Sequence, residues 1–91
     1  MAQPSDPKSR LLAVIATIPP GRVARLDHVA AEAGCADRVA AGLIADFGEA
    51  DLRAVPWHRV VHAGGAIGRH ARRDLQIALL RAEGLAVAPV G

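Results

Sequence analysis

The chain has 91 residues, 52% of them hydrophobic, and a formal net charge of +2, so we expect one small domain over residues 1–91 with an ordered core over about 6–85. Cys35 is its only cysteine, which excludes an internal disulfide, and its four histidines are too scattered to complete a zinc site, so we expect neither a metal nor a cofactor. No apolar run approaches the length of a membrane span and the first residues lack the apolar core of a signal peptide, which predicts a soluble, cytoplasmic protein without a membrane partner.

The first predicted element is a helix that starts at an N-cap. Asp6 is typical of that position, and the proline after it suits the first helical residue. Apolar residues then recur at helical spacing, at Leu11, Val14, Ile15 and Ile18. The helix should end before Pro19-Pro20, where Gly21 favours a turn.

A second, shorter helix is predicted over residues 28–33. Asp27 suits its N-cap after a connector over 23–26, and Gly34 suits its end. Cys35 follows in the turn, where a small half-buried thiol is the ordinary expectation.

The third predicted helix completes a helical pair. Asp37 should cap it and Ala45 or Asp46 should end it, with an inner side formed by Val39, Leu43 and Phe47. Two short helices joined by a tight glycine-containing turn are typical of a helix-turn-helix, in which Arg38 would lie near the end of the recognition helix that reaches DNA. Helical hairpins are common in other proteins, and Arg38 fits a solvated surface position almost as well.

The middle of the chain predicts a spacer followed by a short strand. Residues 48–54 are acidic and should be irregular, with at most one helical turn. Pro56 holds the preceding residue extended, so Trp57 should sit on a rigid turn. Val60-Val61 should start a strand that turns at 63–65 and returns through 66–67 as a hairpin or wing.

The last predicted helix covers residues 74–83. Its buried side should contain Leu75, Ile77, Leu79 and Leu80. Gly84 is expected to end it, with Leu85 as the accompanying hydrophobic contact. The tail over 86–91 should be loosely ordered.

Positive charge is densest just before that helix, at Arg69, His70, Arg72 and Arg73. Most such runs are only solvated helix starts. Ten of the eleven basic residues of the chain are arginine, the side chain suited to phosphate and base-edge contacts, although high-GC codon usage produces the same bias.

Trp57 belongs to the motif Pro-Trp-His-Arg-Val at residues 56–60. Spacing alone favours a tryptophan that anchors a small core beside an exposed histidine and arginine. The motif nevertheless resembles Pro-Cys-His-Arg-Val of the DNA alkylguanine alkyltransferases, with the reactive cysteine replaced by tryptophan, the hallmark of the alkyltransferase-like proteins. Further landmarks resemble that family in the same order, over residues 18–23, 29–34, 65–68 and 79–84.

This resemblance implies a fold and a function. The fold would be mainly α, a small single domain of the alkyltransferase C-terminal type, with a helix-turn-helix and a short hairpin wing as in winged helices. The protein would be a non-enzymatic monomer that binds double-stranded DNA, holds an alkylated guanine outside the duplex and directs it to nucleotide excision repair proteins.

The motif itself argues against alkyl transfer. In the alkyltransferases a neighbouring histidine generates the thiolate that takes the alkyl group, whereas the indole N–H of Trp57 only donates a hydrogen bond. Cys35 as a relocated nucleophile is disfavoured by its place in a turn. A tryptophan at this position can instead form the wall of a pocket for a flipped base.

The resemblance also assigns candidate site residues. His58 would support the pocket by hydrogen bonding, and Arg59 would clamp neighbouring carbonyls or carboxylates. The alkylguanine pocket would comprise Leu26, Pro56, Trp57, His58, Arg59, Gly68 and His70. The DNA-binding residues would be Arg25, Arg38, Ala40, Arg69, Arg72 and Arg73.

Elements that assist base flipping in the family are missing here. Leu26 takes the place of a tyrosine that rotates a phosphate, and Ala40 takes the place of a finger arginine that enters the base stack. A further tyrosine after the wing is also absent, with His70 nearest. Either Arg38 or Arg25 substitutes for the finger, since a guanidinium can fill a stack from several approaches, or base flipping is lost. The alternative function is therefore a diverged helix-turn-helix module that binds DNA or a protein without recognising a lesion.

Overall fold

The computed structural model of the chain describes residues 6–87, so most of the tail predicted over 86–91 lies outside the described residues. Within them, five α-helices and two short strands follow in the order α1 (Pro7–Ile15), β1 (Ala24–Arg25), α2 (Leu26–Ala33), α3 (Asp37–Ala45), α4 (Glu49–Ala54), β2 (Val60–Val61) and α5 (Arg73–Ala82). No helix in this part of the chain is long and apolar enough to cross a bilayer.

Helix α1 begins where the sequence predicts and ends before the proline pair. The Asp6 carboxylate accepts a hydrogen bond from the Ser9 N–H at 2.9 Å, and Pro7 is the first helical residue. Asp6 thereby satisfies an amide that the first helical turn leaves without a partner. The helix ends at Ile15, which is buried together with Leu11.

Helices α2 and α3 form the predicted helix-turn-helix. Gly34 ends α2 with a φ of +73°, a left-handed conformation that favours glycine. The predicted caps are wrong, because Arg25 and Ala36 precede the two helices. Helix α2 starts early because β1 holds the chain extended up to Arg25. Asp27 and Asp37 lie instead in the first turns, where the helix dipole favours negative charge.

The predicted buried faces of α3 and α5 are wrong at one position each, whereas Ile77 and Leu80 are buried as predicted. Val39 is 46% exposed, and Ala40 beside it is fully buried. Leu75 is 52% exposed, whereas Gln76 next to it is buried with Ile77 and Leu80. Successive residues lie about 100° apart around a helix, so a shift of one position exchanges an inner residue for an outer one. Phe47, on the predicted inner side, joins the core that also contains Ala40 and Trp57.

The strands pair with each other, and the predicted hairpin is only partly formed. β1 and β2 run parallel, with Ala24 opposite Val60 and Arg25 opposite Val61. The return over 66–67 forms no strand. The loop is closed near His62, whose N–H donates to the Ala66 carbonyl at 2.9 Å. Left-handed glycines at 64 and 65 turn the chain immediately after His62, so the wing is a short loop rather than a ladder.

The last two helices are fixed at their ends. Helix α4 occupies most of the segment expected to be irregular, and its Asp51 lies 2.9 Å from the Lys8 ammonium of α1. Helix α5 is followed by Gly84, which has a φ of +85° as its predicted role requires. The Leu85 N–H then donates to the Leu80 carbonyl at 3.2 Å. The Lys8–Asp51 pair joins α4 to α1, whereas the Gly84 turn and the Leu85 bond close the C-terminus of α5.

Candidate nucleic-acid interface

A cleft of about 430 Å³, here called the Trp57 cleft, opens beside helix α3. Its volume lies in the range of roughly 300–1,000 Å³ that is usual for ligand pockets. Three parts of the chain form most of its walls: the second half of α3, the segment around Trp57 and β2, and the loop before α5. One residue each from α2 and α5 completes the lining. The lining residues are Leu26, Ala41, Ile44, Ala45, Trp57, Val60, Val61, His62, Gly68, Arg69, His70, Ala71, Arg72 and Gln76. None of these lining residues is acidic, and two are arginines.

Trp57 lies in a short helical turn over Trp57–Arg59, directly after Pro56. Its residue surface is only 7% exposed, yet its side chain lines the cleft. Its ring contacts two imidazoles edge-on, with centroids 6.1 Å from His58 and 6.4 Å from His70. Within residues 6–87, nothing accepts a hydrogen bond from the indole N–H. Trp57 is therefore both a core anchor and a cleft wall.

Glu83 ties the Trp57 segment to the end of α5. Its carboxylate accepts hydrogen bonds from His58 Nε2 at 2.7 Å, from Arg59 Nη2 at 2.7 Å and from the Gly21 N–H at 2.9 Å. Arg59 also donates from Nη1 to the Ile18 carbonyl at 2.8 Å, so it clamps a carboxylate and a carbonyl as expected. The Arg59 guanidinium, then the His58 imidazole and the Gly21 amide, lower the pKa of Glu83 from 4.5 to about 2.

A second set of hydrogen bonds lies under the cleft, centred on Gln76. This side chain is 3% exposed and is the only buried polar residue of the described chain. His70 Nε2 lies 2.7 Å from its amide oxygen, and its amide nitrogen donates to the carbonyls of His58 and Val60 at 3.0 and 2.9 Å. All the polar atoms of Gln76 therefore have partners, as a buried amide requires.

The predicted pocket residues separate into two groups. Leu26, Trp57, Gly68 and His70 line the cleft. The others, Pro56, His58 and Arg59, do not line it and instead hold the Trp57 segment in place. Gly68 leaves room for a neighbour, because a Cβ at this position would lie 2.6 Å from the Nε2 atom of His62.

Sequence reasoning missed the parts played by Glu83 and Gln76. Glu83 falls inside one of the family-like landmarks, over residues 79–84, so a signal for it was present. Gln76 has a weaker signal: a single amide inside the apolar stripe of the last helix. Neither position reveals its partners, which lie between 6 and 62 residues away along the chain.

The predicted DNA-binding arginines occupy different environments. Arg38 is exposed, and it shares a helix face with Ala41 and Ala45, which follow at intervals of three and four residues and line the cleft. Arg69 and Arg72 line the cleft as well. Arg72 Nη2 also donates to the Phe47 carbonyl at 3.1 Å.

The other three residues predicted to bind DNA are paired with a carboxylate or at least partly buried. Arg25 bonds both carboxylate oxygens of Asp27, at 3.1 and 2.7 Å, and this pairing lowers the pKa of Asp27. Arg73 is half-buried at the start of α5. Ala40 cannot contact DNA, because its side chain packs inside the core, so its assignment to the interface is wrong. Of the predicted arginines, Arg69 and Arg72 thus line the cleft, and Arg38 is exposed on the helix face that contains the lining residues Ala41 and Ala45.

The titratable residues that line the cleft are two histidines and two arginines, with no cysteine or carboxylate among the lining residues. Cys35 is half-buried against the core and does not line it. In the part of the chain that the structure describes, no three histidine, cysteine or acidic side chains come together in a way that could hold a metal ion. The apolar walls, the tryptophan face and the nearby arginines suit binding of a flat, partly apolar group beside a phosphate backbone.

Known proteins resemble this chain in family and in fold. The family model described as 6-O-methylguanine DNA methyltransferase, DNA binding domain, matches residues 6–85. The fold is similar to that of Schizosaccharomyces pombe Atl1 in complex with damaged DNA containing O6-carboxymethylguanine, with a TM-score of 0.83 at 21% identity over 98% of this chain and 85% of that one. It is also similar to Mycobacterium tuberculosis O6-methylguanine methyltransferase, with a TM-score of 0.71 at 24% identity over 89% of this chain and 50% of that one.

These likenesses confirm the mainly α, alkyltransferase-type fold. This chain spans about half the length of the M. tuberculosis enzyme. No curated protein sequence gives a match.

Proposed function

Because this chain belongs to the family of 6-O-methylguanine DNA methyltransferase DNA-binding domains, we propose that it binds double-stranded DNA and holds an alkylated guanine in the Trp57 cleft without removing the alkyl group. Helix α3 and the arginines beside the cleft would contact the duplex. The flipped base would lie against Trp57. The bound lesion would then be passed to nucleotide excision repair proteins.

The observation that carries this proposal is the position of Trp57. The tryptophan forms a wall of a cleft that opens beside the recognition helix, next to Ala41 and Ala45. A base that leaves the duplex near α3 would therefore meet an aromatic face and apolar walls. Base stacking on an aromatic side chain contributes about 1–3 kcal/mol, enough to favour an extrahelical base that is already weakly paired.

Binding without chemistry is proposed because the cleft holds no activated nucleophile. Trp57 occupies the position of the reactive cysteine in the family motif, and Cys35 is not among the lining residues. His58 is bonded to Glu83 at 2.7 Å, an arrangement that could make it a base, but with tryptophan at position 57 it has no adjacent thiol to deprotonate. This arrangement suits recognition of a lesion that another system then removes.

The burial of Ala40 favours the alternative function. With an alanine facing the core at this position, α3 has no finger arginine there, and Arg38 would have to act from one helical turn before Ala41. Leu26 also lines the cleft where the family has a tyrosine. If base flipping fails for these reasons, the chain is a helix-turn-helix module that binds DNA without discriminating lesions.

Matched duplexes with and without one O6-alkylguanine test the proposal. We expect the alkylated duplex to bind about tenfold tighter or more, since stacking contributes about 1–3 kcal/mol. Trp57 is the only tryptophan, so its fluorescence should be quenched by the alkylated duplex and much less by the plain one. Equal affinities without quenching would reject lesion recognition and leave the alternative.

Two substitutions of Trp57 then test whether its ring causes the preference for the alkylated duplex. Trp57→Phe keeps an aromatic face and should retain part of the preference, whereas Trp57→Ala should lose most of it. Because Trp57 is buried, each variant is first checked for a cooperative thermal transition. Val39→Ala, at an exposed apolar position on α3, serves as the control and should leave the ratio of the two affinities unchanged.

A further inference from the structure

We infer that Gln76 is the positioning residue of the Trp57 cleft: its amide holds the three walls at the separation that accepts a base. The inference rests on the proposed function only for the identity of the bound group. The hydrogen bonds that carry it belong to the free protein.

The orientation of the Gln76 amide follows from its partners. The carbonyls of His58 and Val60 can only accept, so the NH₂ group must face them, at 3.0 and 2.9 Å. The oxygen is left to face His70 Nε2 at 2.7 Å. His70 Nδ1 accepts from the Arg72 N–H at 3.1 Å, so Nε2 must carry the proton and donate to Gln76.

These bonds form one continuous path from the chain just beyond α3, through the loop before α5, to the Trp57 segment. The Phe47 carbonyl, just beyond α3, accepts from the Arg72 side chain at 3.1 Å. The Arg72 amide bonds His70 in the loop before α5, and His70 bonds Gln76. Gln76 then bonds the chain on both sides of Arg59, immediately after Trp57. Gln76 thus joins the loop before α5 directly to the Trp57 segment, and the Arg72 side chain extends the path to the end of α3.

An apolar side chain could fill this buried position of α5 without needing any hydrogen-bond partner. Gln76 is 3% exposed and lies on the same buried side of α5 as Ile77 and Leu80. A buried amide costs free energy unless every group is bonded, and a fully bonded one fixes a single arrangement where apolar packing allows several. The amide therefore sets geometry, which leaves the cleft open at a fixed width before a base arrives.

If Gln76 has this role, replacing its amide should affect the affinity for alkylated duplex much more than the affinity for plain duplex. The arginines proposed to contact phosphates do not depend on the Gln76 amide for their charge, so binding to plain duplex should persist when the amide is replaced. The preference for an alkylated guanine depends on the spacing between Trp57 and the opposite walls, so it should be lost. A residue that only stabilised the fold would lower both affinities together.

Gln76→Met tests the inference, because methionine has similar length and cannot form these hydrogen bonds. We expect the preference for the alkylated duplex to fall from about tenfold to about twofold or less, while the Kd for plain duplex changes by less than about threefold. Leu75→Met, at the exposed neighbouring position on α5, should change neither value. A folded Gln76→Met protein that keeps the full preference would overturn the inference.

A second variant and a second readout complete the test. Gln76→Glu keeps an acceptor for His70 and removes both donors to the Trp57 segment, so it should also lose the preference; if Gln76→Met does not fold, retention of the preference by Gln76→Glu overturns the inference. Acrylamide quenching of Trp57 fluorescence in free protein should rise in the variants. If the wild type itself shows no lesion preference, the proposed function fails, and unchanged quenching in the variants would then separately refute the positioning role.

Discussion

Replacing Glu83 by glutamine should destabilise the protein well beyond an ordinary surface change. The substitution keeps the shape of the side chain and removes its charge. Arg59 and His58, whose side chains are 14% and 12% exposed, would then face a neutral amide that can accept through one atom only. At least one of the three donors that now converge on Glu83, counting the Gly21 N–H, would face an NH₂ group.

The size of the effect can be worked from the pKa of Glu83. The pKa falls from 4.5 to about 2, a change of about 2.5 units, and each unit corresponds to about 1.4 kcal/mol, which sets an upper limit of about 3–4 kcal/mol. The side chain is 17% exposed, so water screens part of the interaction. We therefore expect a loss of about 2 kcal/mol, which for a domain of this size lowers Tm by about 8–16 °C.

The pH dependence of stability provides the specific assay. Because the folded pKa of Glu83 is depressed, its stabilisation is present above about pH 4.5 and is lost as the pH falls toward 2. Thermal unfolding followed by circular dichroism should show wild type and Glu83→Gln far apart at pH 7 and converging in this window. The difference between the two proteins is the informative quantity, since the pKa values of Asp6, Asp27 and Asp51 are lowered too.

A matched control separates this pair from surface charge in general. Glu49 lies 3.7 Å from Arg53 on α4, with side chains 88% and 81% exposed, so Glu49→Gln should change Tm by no more than a few degrees. Equal Tm values for Glu83→Gln and wild type at pH 7, or a difference that stays constant down to pH 2.5, would refute the reasoning.

Two further predictions concern DNA. Binding should weaken as the salt concentration rises. Arg38→Ala should reduce the slope of log affinity against log salt concentration by about one unit, whereas Arg53→Ala, on the exposed face of α4, should leave the slope unchanged. A slope for Arg38→Ala equal to that of Arg53→Ala would show that Arg38 makes no phosphate contact. Arg10, on α1, would be a poorer control than Arg53, because its Nε donates to the Ala33 carbonyl at 2.6 Å and supports the end of α2. Incubation with DNA that carries a labelled O6-alkylguanine should leave the protein unlabelled, and stoichiometric label on Cys35 would contradict binding without transfer.

Much of the fold could be predicted because local signals agree with it. Asp6, Pro7 and Gly34 act through their own backbone positions, so α1 and the end of α2 follow from the sequence. The start of α2 does not, since it depends on pairing between Arg25 and Val61, which are far apart in the chain. The wing was misjudged for the same reason: β2 satisfies its backbone against β1, so a hairpin partner is not needed.

Some residues of the candidate site could be predicted from the sequence, but the hydrogen bonds between them could not. The motif identifies Trp57 as a site residue, and Trp57 lines the cleft in the structure. The predicted inner positions Val39 and Leu75 are each one residue away from a buried one, which hid the burial of Ala40 and Gln76. Ala40 is assigned to the interface only by its place in the family motif, which carries no information on burial. An amide in an apolar stripe is read as a surface residue unless its three partners are known, and those partners are brought together only by tertiary packing.

The carboxylate of Glu83 also orders events during folding. It joins Gly21 to a residue 62 positions later, and it joins His58 and Arg59 across 25 and 24 positions. Contacts of such long range form after local helices, because closing a long loop costs entropy before any bond repays it. A ribosome-bound chain can therefore form its local helices while the tryptophan segment is still unrestrained, and Glu83 can fix that segment only once the last helix has emerged and docked.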